Sequence, residues 1–172
     1  MSEYHQLVEE QIPRLRRYAR ALTRNRDRAD DLVQDTLSRA LIKEQLWQPG
    51  TNLRAWLFTI MHHQSVNNLR RDIRESAMVD IERISTTLPA TTDPAASRKL
   101  VELDRALAQL PLDQRQVILL VGLEGMSYQE AAGILGIPVG TVRSRLSRGR
   151  DALRELLDGK ERPSAAARRQ AA

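Results

Sequence analysis

Between Val139 and Arg150 the chain carries Thr141, Arg143, Ser144, Ser147 and Arg148 at spacings that keep them off the apolar stripe of a helix. The segment has four arginines and no acid. The chemistry open to such a set is recognition rather than bond-making. A guanidinium can fork onto guanine O6 and N7, and serine or threonine hydroxyls can bond a base or a phosphate. Arg145 and Arg150 lie further round the helix, where a cation positions a protein on phosphates without reading sequence. Arginines on one helix can also form a plain solvated face, so the weight falls on the residues that place this one.

Those residues fit two helices meeting at a sharp turn. Ala131 and Ala132 are small enough for close backbone approach, and Gly136 stands between Leu135 and Ile137 where a turn needs positive φ. Pro138 suits the first turn of the following helix. Val142 and Leu146 point back to meet Ile134 and Leu135. This is the spacing of a helix-turn-helix, whose second helix enters the major groove.

Elsewhere apolar residues recur at helical spacing and alternating strand patterns are absent, so the expected fold is all-α. Ile12, Leu15, Ala19 and Leu22 form one stripe; Leu32, Val33, Thr36, Leu37, Ala40 and Leu41 form a second, with Asn25 or Asp27 as its N-cap. A break at Gln48 to Asn52 precedes a third helix from about Leu53 to Arg74, apolar in its first half (Trp56, Leu57, Phe58, Ile60, Met61) and polar and basic in its second. Proline-punctuated linker chemistry follows. Periodicity returns with Leu100, Leu103, Leu107 and Leu110, then in a helix from about Asp113 to Leu123. The expected organisation is two small helical domains, 5–75 and 99–157, a linker at 76–98 and a disordered tail at 158–172.

Composition narrows the function. The 172 residues carry a formal net charge of +5, which fits a polyanionic partner. There is no cysteine, and the three histidines include the adjacent pair His62 and His63, which cannot converge on one metal from one helix face. Disulfides, thiolate sites and a metal are therefore not expected, nor is any cofactor or small-molecule substrate. No apolar run spans a bilayer, and the polar start MSEYHQLVEE lacks a signal-peptide core, so a soluble cytoplasmic protein without membrane insertion is expected. There is no nucleotide loop, convergent carboxylate pair or Ser-His-Asp arrangement; the expectation is that it is no enzyme.

Two stretches resemble a known family. "DRADDLVQDTLSRAL" (Asp27 to Leu41), followed by "NLRAWLFTIMHHQSVNNLRR" (Asn52 to Arg71), resembles region 2 of bacterial sigma factors. Leu110 to Leu153 resembles region 4, and the short length without a region 3 domain resembles the extracytoplasmic-function (group 4) sigma factors, with similarity to the general-stress subgroup. The resemblance implies binding to core RNA polymerase, through the β′ clamp helices and the β flap, and to promoter DNA. It implies that Asp31, Leu32, Gln34 and Asp35 dock on polymerase, and of these Asp31, Gln34 and Asp35 are expected to be the exposed contacts. Trp47, Asn52, His62, His63, Asn67, Asn68, Arg70 and Arg71 would open and read the −10 element; Trp47 either stacks on a base or packs under its loop. Thr141, Arg143, Ser144, Ser147 and Arg148 would read the −35 element, where some relatives carry an aromatic in place of Ser147. Control by an anti-sigma factor is a further implication. A stand-alone helix-turn-helix regulator is the alternative, as is a decoy that sequesters an anti-sigma factor.

Overall fold

The computed structural model describes residues 3–76 and 94–161, and its described residues are helical with no strand. Helix α1 (Glu3–Thr23) buries Tyr4, Val8, Leu15, Tyr18, Ala19 and Leu22, with Ile12 half-buried. It ends at Arg24, which adopts the left-handed conformation at φ 53°. Asn25 caps α2 (Arg26–Ile42): its Oδ1 accepts from the Arg28 amide at 3.0 Å, so Asn25 and not Asp27 takes that role. Along α2, Ala29, Leu32, Val33, Thr36 and Ala40 face inward. Leu41, expected on that stripe, is 48% exposed, because Ala40 takes the last inward position and the Tyr4 hydroxyl donates to its carbonyl at 2.8 Å. A short 3-10 turn (Glu44–Leu46) and a bend at Gly50 lead to α3 (Leu53–Ser76), capped by Asn52 Oδ1, which accepts from the Ala55 amide at 3.0 Å.

The second half begins with α4 (Pro94–Gln109), five residues before the expected boundary at 99, with proline in the first helical turn where its missing amide costs nothing. Then comes α5 (Leu112–Ile118). The single helix expected from Asp113 to Leu123 is not continuous. At Leu119–Leu123 the turns widen to π-helical geometry, with the Glu124 amide donating to Leu119 O at 3.0 Å and the Met126 amide to Leu120 O at 2.9 Å. The widened turn leaves Glu124 buried rather than on the surface.

Helix α6 (Tyr128–Leu135) starts with a reciprocal cap. Ser127 Oγ accepts from the Glu130 amide at 3.1 Å, and Glu130 Oε2 accepts from the Ser127 amide at 2.7 Å. It stops at Gly136, φ 65°, as the turn reading required, and α7 (Val139–Glu161) follows. Gly149 of α7 lies against α5: an added Cβ would stand 2.6 Å from Ile118 Cδ1. The tail expected to be disordered from Asp158 is helical through Glu161. Residues 77–93 of the expected linker, and the tail beyond 161, lie outside the described residues.

One hydrophobic cluster runs through both halves, from Leu15, Leu57 and Phe58 to Leu120, Val142 and Leu146. Small helical domains bury little surface alone; these two share theirs.

Candidate nucleic-acid interface

The helix-turn-helix presents the expected reading residues outward. Arg143, Ser144, Ser147 and Arg148 are exposed on α7, while Val142 and Leu146 are buried against α6; Thr141 is half-buried. Ser144 Oγ donates to Thr141 O at 3.1 Å, and Arg148 Nε donates to Ser144 O at 3.3 Å, so the two arginine-bearing turns are tied along the helix. The Arg143 guanidinium sits 6.0 Å from the Tyr128 ring centroid, at the edge of cation–π range. Tyr128 was not singled out in the sequence; the cue was an aromatic opening the first helix of the pair. Arg145 behaves differently from the expectation of a phosphate contact. Its Nε lies 3.4 Å from Asp113 Oδ2, which draws it back towards α5. Arg150 remains exposed.

On α3 the expected −10 residues divide. Asn67, Arg70 and Arg71 are exposed, and Asn68 is half-buried. His63 is exposed, whereas His62 is half-buried, its Nδ1 enclosed and without a hydrogen-bond partner among the described residues. Burial first, and then the neighbouring His63, lower the His62 pKa from 6.5, so it is held neutral. Gln64, on the half expected to be polar and exposed, is buried with its amide against the Arg39 guanidinium. Trp47 packs: its ring centroid lies 5.4 Å from that of Tyr4, it abuts the core, and its indole nitrogen is enclosed. Of the two alternatives for Trp47, this contact fits packing under the loop, with the ring half-buried. Trp56 packs against the same core, 6.3 Å from Tyr4. Burial, and then Glu44, push the Tyr4 hydroxyl up to about 12.

Of the expected docking residues on α2, Asp31, Gln34 and Asp35 are exposed. Leu32 is not available: at 2% exposure it belongs to the core, because it sits on the inward stripe with Ala29 and Thr36. Asp35 lines a polar cleft of about 330 Å³ together with Asn67, Asn68 and Arg71, so residues expected to dock on polymerase and residues expected at the −10 element adjoin between α2 and α3.

Several residues, all but Asn52 outside these sets, tie the halves together. Arg17 of α1 donates from Nε and Nη2 to Glu124 Oε1 at 3.1 and 2.9 Å. Arg24 pairs with Asp104 of α4 at 3.0 Å, and Arg115 of α5 donates to Leu22 O at 3.2 Å. Asn52 Nδ2 donates to Glu130 Oε1 at 2.6 Å. The sequence held one signal for this: Glu124 is the single acid in the apolar run VILLVGLEGM. Among the described residues no group of three or more His, Cys, Asp or Glu could hold a metal, and no helix is long and apolar enough to cross a membrane.

Two family models match separate stretches of the chain. The family described as the Sigma2 domain of PhyR matches residues 8–62, and Sigma-70, region 4 matches residues 100–153. The ECF RNA polymerase sigma factor EcfG of Rhodopseudomonas palustris (strain TIE-1) is 45% identical over 152 residues, covering 87% of this chain and 83% of that protein. The ECF RNA polymerase sigma factor SigE of Mycolicibacterium smegmatis is 35% identical over 161 residues, 91% of this chain and 62% of that protein. Among solved structures, the sigma factor RpoE of Bartonella quintana, in complex with the anti-sigma factor NepR, aligns with TM-score 0.80 at 38% identity over 92% of this chain and 98% of that one. CnrH, in complex with the cytosolic domain of CnrY, aligns with TM-score 0.66 at 31% identity over 91% of this chain and 88% of that one.

Proposed function

The chain belongs to the extracytoplasmic-function sigma factors of RNA polymerase, and from that membership we propose how its surfaces divide the work. It is a promoter-specificity subunit: it binds core RNA polymerase and directs initiation at promoters with −35 and −10 elements. Helix α7 reads the −35 element through Arg143, Ser144, Ser147 and Arg148, with Thr141 bracing the first turn. The second half of α3 serves the −10 element through His63, Asn67, Asn68, Arg70 and Arg71, with Asn52 at its N-terminus. His62 and Trp47 act by shaping that surface from beneath. Helix α2 docks on the β′ clamp helices through Asp31, Gln34 and Asp35, and the C-terminal domain meets the β flap. The domains divide as 5–75 and 99–157, with α4 extending the second to Pro94. The protein does no covalent chemistry of its own, since polymerisation belongs to the core enzyme, and it works in the cytoplasm where polymerase and promoter are.

The observation that carries this reading is the outward presentation of Arg143 and Arg148 on a helix whose opposite face is locked into α6. A decoy has no use for such a face. RpoE is bound by the anti-sigma factor NepR and CnrH by the cytosolic domain of CnrY, and on our reading an anti-sigma factor controls this chain in the same way. A cavity of about 580 Å³ between α1 and α4 has a leucine floor (Leu100, Leu103, Leu107, Leu119, Leu123) and an arginine rim (Arg16, Arg17, Arg20, Arg24, Arg26). That combination accepts an acidic amphipathic helix. The test is transcription by purified core polymerase on a pool of promoter fragments. Start sites that require the protein and share two motifs a fixed distance apart are expected. Absence of such sites, with no binding to core polymerase, would refute the reading.

A further inference from the structure

The loop that carries Trp47 is braced from the first turn of α1. Tyr4 there is 5% exposed and sits among rings. Its centroid lies 5.4 Å from that of Trp47, tilted by 43°, and 6.3 Å from that of Trp56, edge-on at 69°. Tilted and edge-on pairs at such separations attract beyond the area they bury. The Tyr4 hydroxyl donates to Ala40 O at 2.8 Å. Ala40 lies in the last turn of α2, where a helix leaves its carbonyls short of amide partners. Burial, and then Glu44, hold that hydroxyl protonated, so it remains a donor. Beside it, His5 Nε2 lies 3.4 Å from Oε2 of Glu44, the first residue of the 3-10 turn. One turn of α1 therefore touches the end of α2, the 3-10 turn, Trp47 and the first turn of α3.

Beyond Trp47 the loop turns outward. Gln48, Pro49, Gly50 and Thr51 are exposed. Their turn closes on itself: the Thr51 amide and hydroxyl both donate to Gln48 O, at 3.1 and 2.7 Å, and Gly50 takes φ 85°. A turn satisfied internally keeps its shape, while its direction is set by its stems. On one side the stem is α3, beginning at the buried Leu53. On the other it is Trp47, whose backbone is extended at φ −83° and ψ 134°. No helical hydrogen-bond ladder fixes that stem, so its ring must. The enclosed indole nitrogen has no hydrogen-bond partner among the described residues. An unpaired N–H opposes burial, so packing against Tyr4 and the core is what keeps the ring in place.

We propose that Tyr4 is a positioning residue for promoter opening: it sets Trp47, and through Trp47 the direction of the Gln48–Thr51 turn that approaches the −10 element. Tyr4 is buried, so it acts through Trp47 and not on DNA. The role at the −10 element rests on the sigma-factor reading; the hold of Tyr4 on Trp47 does not.

Trp56→Phe leaves Trp47 as the one tryptophan of the chain, and its fluorescence reports the stem in the free protein. In that background Tyr4→Ala should move the emission to longer wavelength and raise acrylamide quenching about two- to tenfold, the span of one aromatic pair. Tyr4→Phe, which keeps the ring, should stay near the parent. Should Tyr4→Ala fail to fold, Tyr4→Leu keeps apolar bulk without the ring and is read in the same way. Unchanged emission and quenching in the folded variant would overturn the proposal. Each variant is then combined with core polymerase on a promoter recovered from the fragment pool, once as full duplex and once with its −10 segment already unpaired by mismatches. On duplex, opening should fall by about the same two- to tenfold for variants lacking the ring, and Tyr4→Phe should restore it. On the unpaired template the deficit should shrink. An equal deficit on both templates would mean a general loss of structure or assembly, and would overturn the role in opening. No transcription by the unaltered protein on either template would refute the sigma reading, and leave the hold of Tyr4 on Trp47 to be decided by the fluorescence.

Discussion

Two glycine-to-alanine changes on neighbouring helices should have different effects on stability. Gly133 lies in α6, exposed, with nothing within 4 Å of an added Cβ. Gly133→Ala restricts the unfolded chain and should stabilise by about 0.5–1 kcal/mol. Gly149 lies in α7 against α5, and its Cβ would meet Ile118 Cδ1 at 2.6 Å, Ile118 Cγ1 at 3.3 Å and Gln114 Cβ at 3.4 Å. The terminal methyl of Ile118 can rotate away, but Cγ1 and the Gln114 stem are anchored near the α5 backbone. The overpacking therefore falls near the low end of the usual range, about 1 kcal/mol, against the same helix-forming gain. Gly149→Ala should come out neutral to mildly destabilising, at least about 1 kcal/mol below Gly133→Ala. For a chain of this size that separates the two melting temperatures by about 2–4 °C. Urea unfolding followed by helical circular dichroism measures the gap. Equal shifts would mean that α7 does not lie as close to α5 as described, and the placement of the reading helix on its scaffold would be wrong.

Other expectations follow from the same geometry. Arg143→Ala and Arg148→Ala should each lower −35-dependent transcription roughly five- to hundredfold, the value of a forked arginine–base contact, without altering folding; Arg145→Ala, whose cation is engaged by Asp113, should leave the −35 preference unchanged. Asp35→Arg should weaken association with core polymerase in a pull-down or fluorescence titration while α2 stays helical, since its side chain is exposed. His62 is a base whose folded pKa is lowered from 6.5. The unfolded chain therefore takes up the proton first on acidification, and the stability this group contributes is present above pH 6.5 and lost as pH falls through its folded value. His62→Asn should flatten that acid limb in a pH series of urea midpoints. Affinity for promoter DNA should fall steeply with salt in proportion to the phosphates neutralised.

Much of the site was legible because its residues act locally. The turn at Gly136 follows from the need for positive φ between two apolar helices, and the outward set on α7 from helical period alone. The capping box at Ser127 and Glu130 was equally available as Ser-x-x-Glu before an apolar run, and was missed. Burial was harder to read. Leu41, Leu100 and Leu103 keep the period of a core stripe yet are exposed, while Gln64 breaks the period and is buried. Periodicity states which face a residue shares; whether another element covers that face depends on a partner distant in sequence.

The sequence by itself determined most of the helices, the turn chemistry and which polar residues share the outer faces of α3 and α7, since spacing and conformational preference operate over a few residues. Only the tertiary structure decided how the halves meet. Arg17 and Glu124 are 107 residues apart, and Asn52 and Glu130 are 78 apart. Such pairs leave no periodic trace, because nothing local distinguishes an arginine that will be solvated from one that will find a buried carboxylate. The widened turn at Leu119–Leu123, which carries Glu124 inward, likewise packs against α1, a partner about a hundred residues away in sequence.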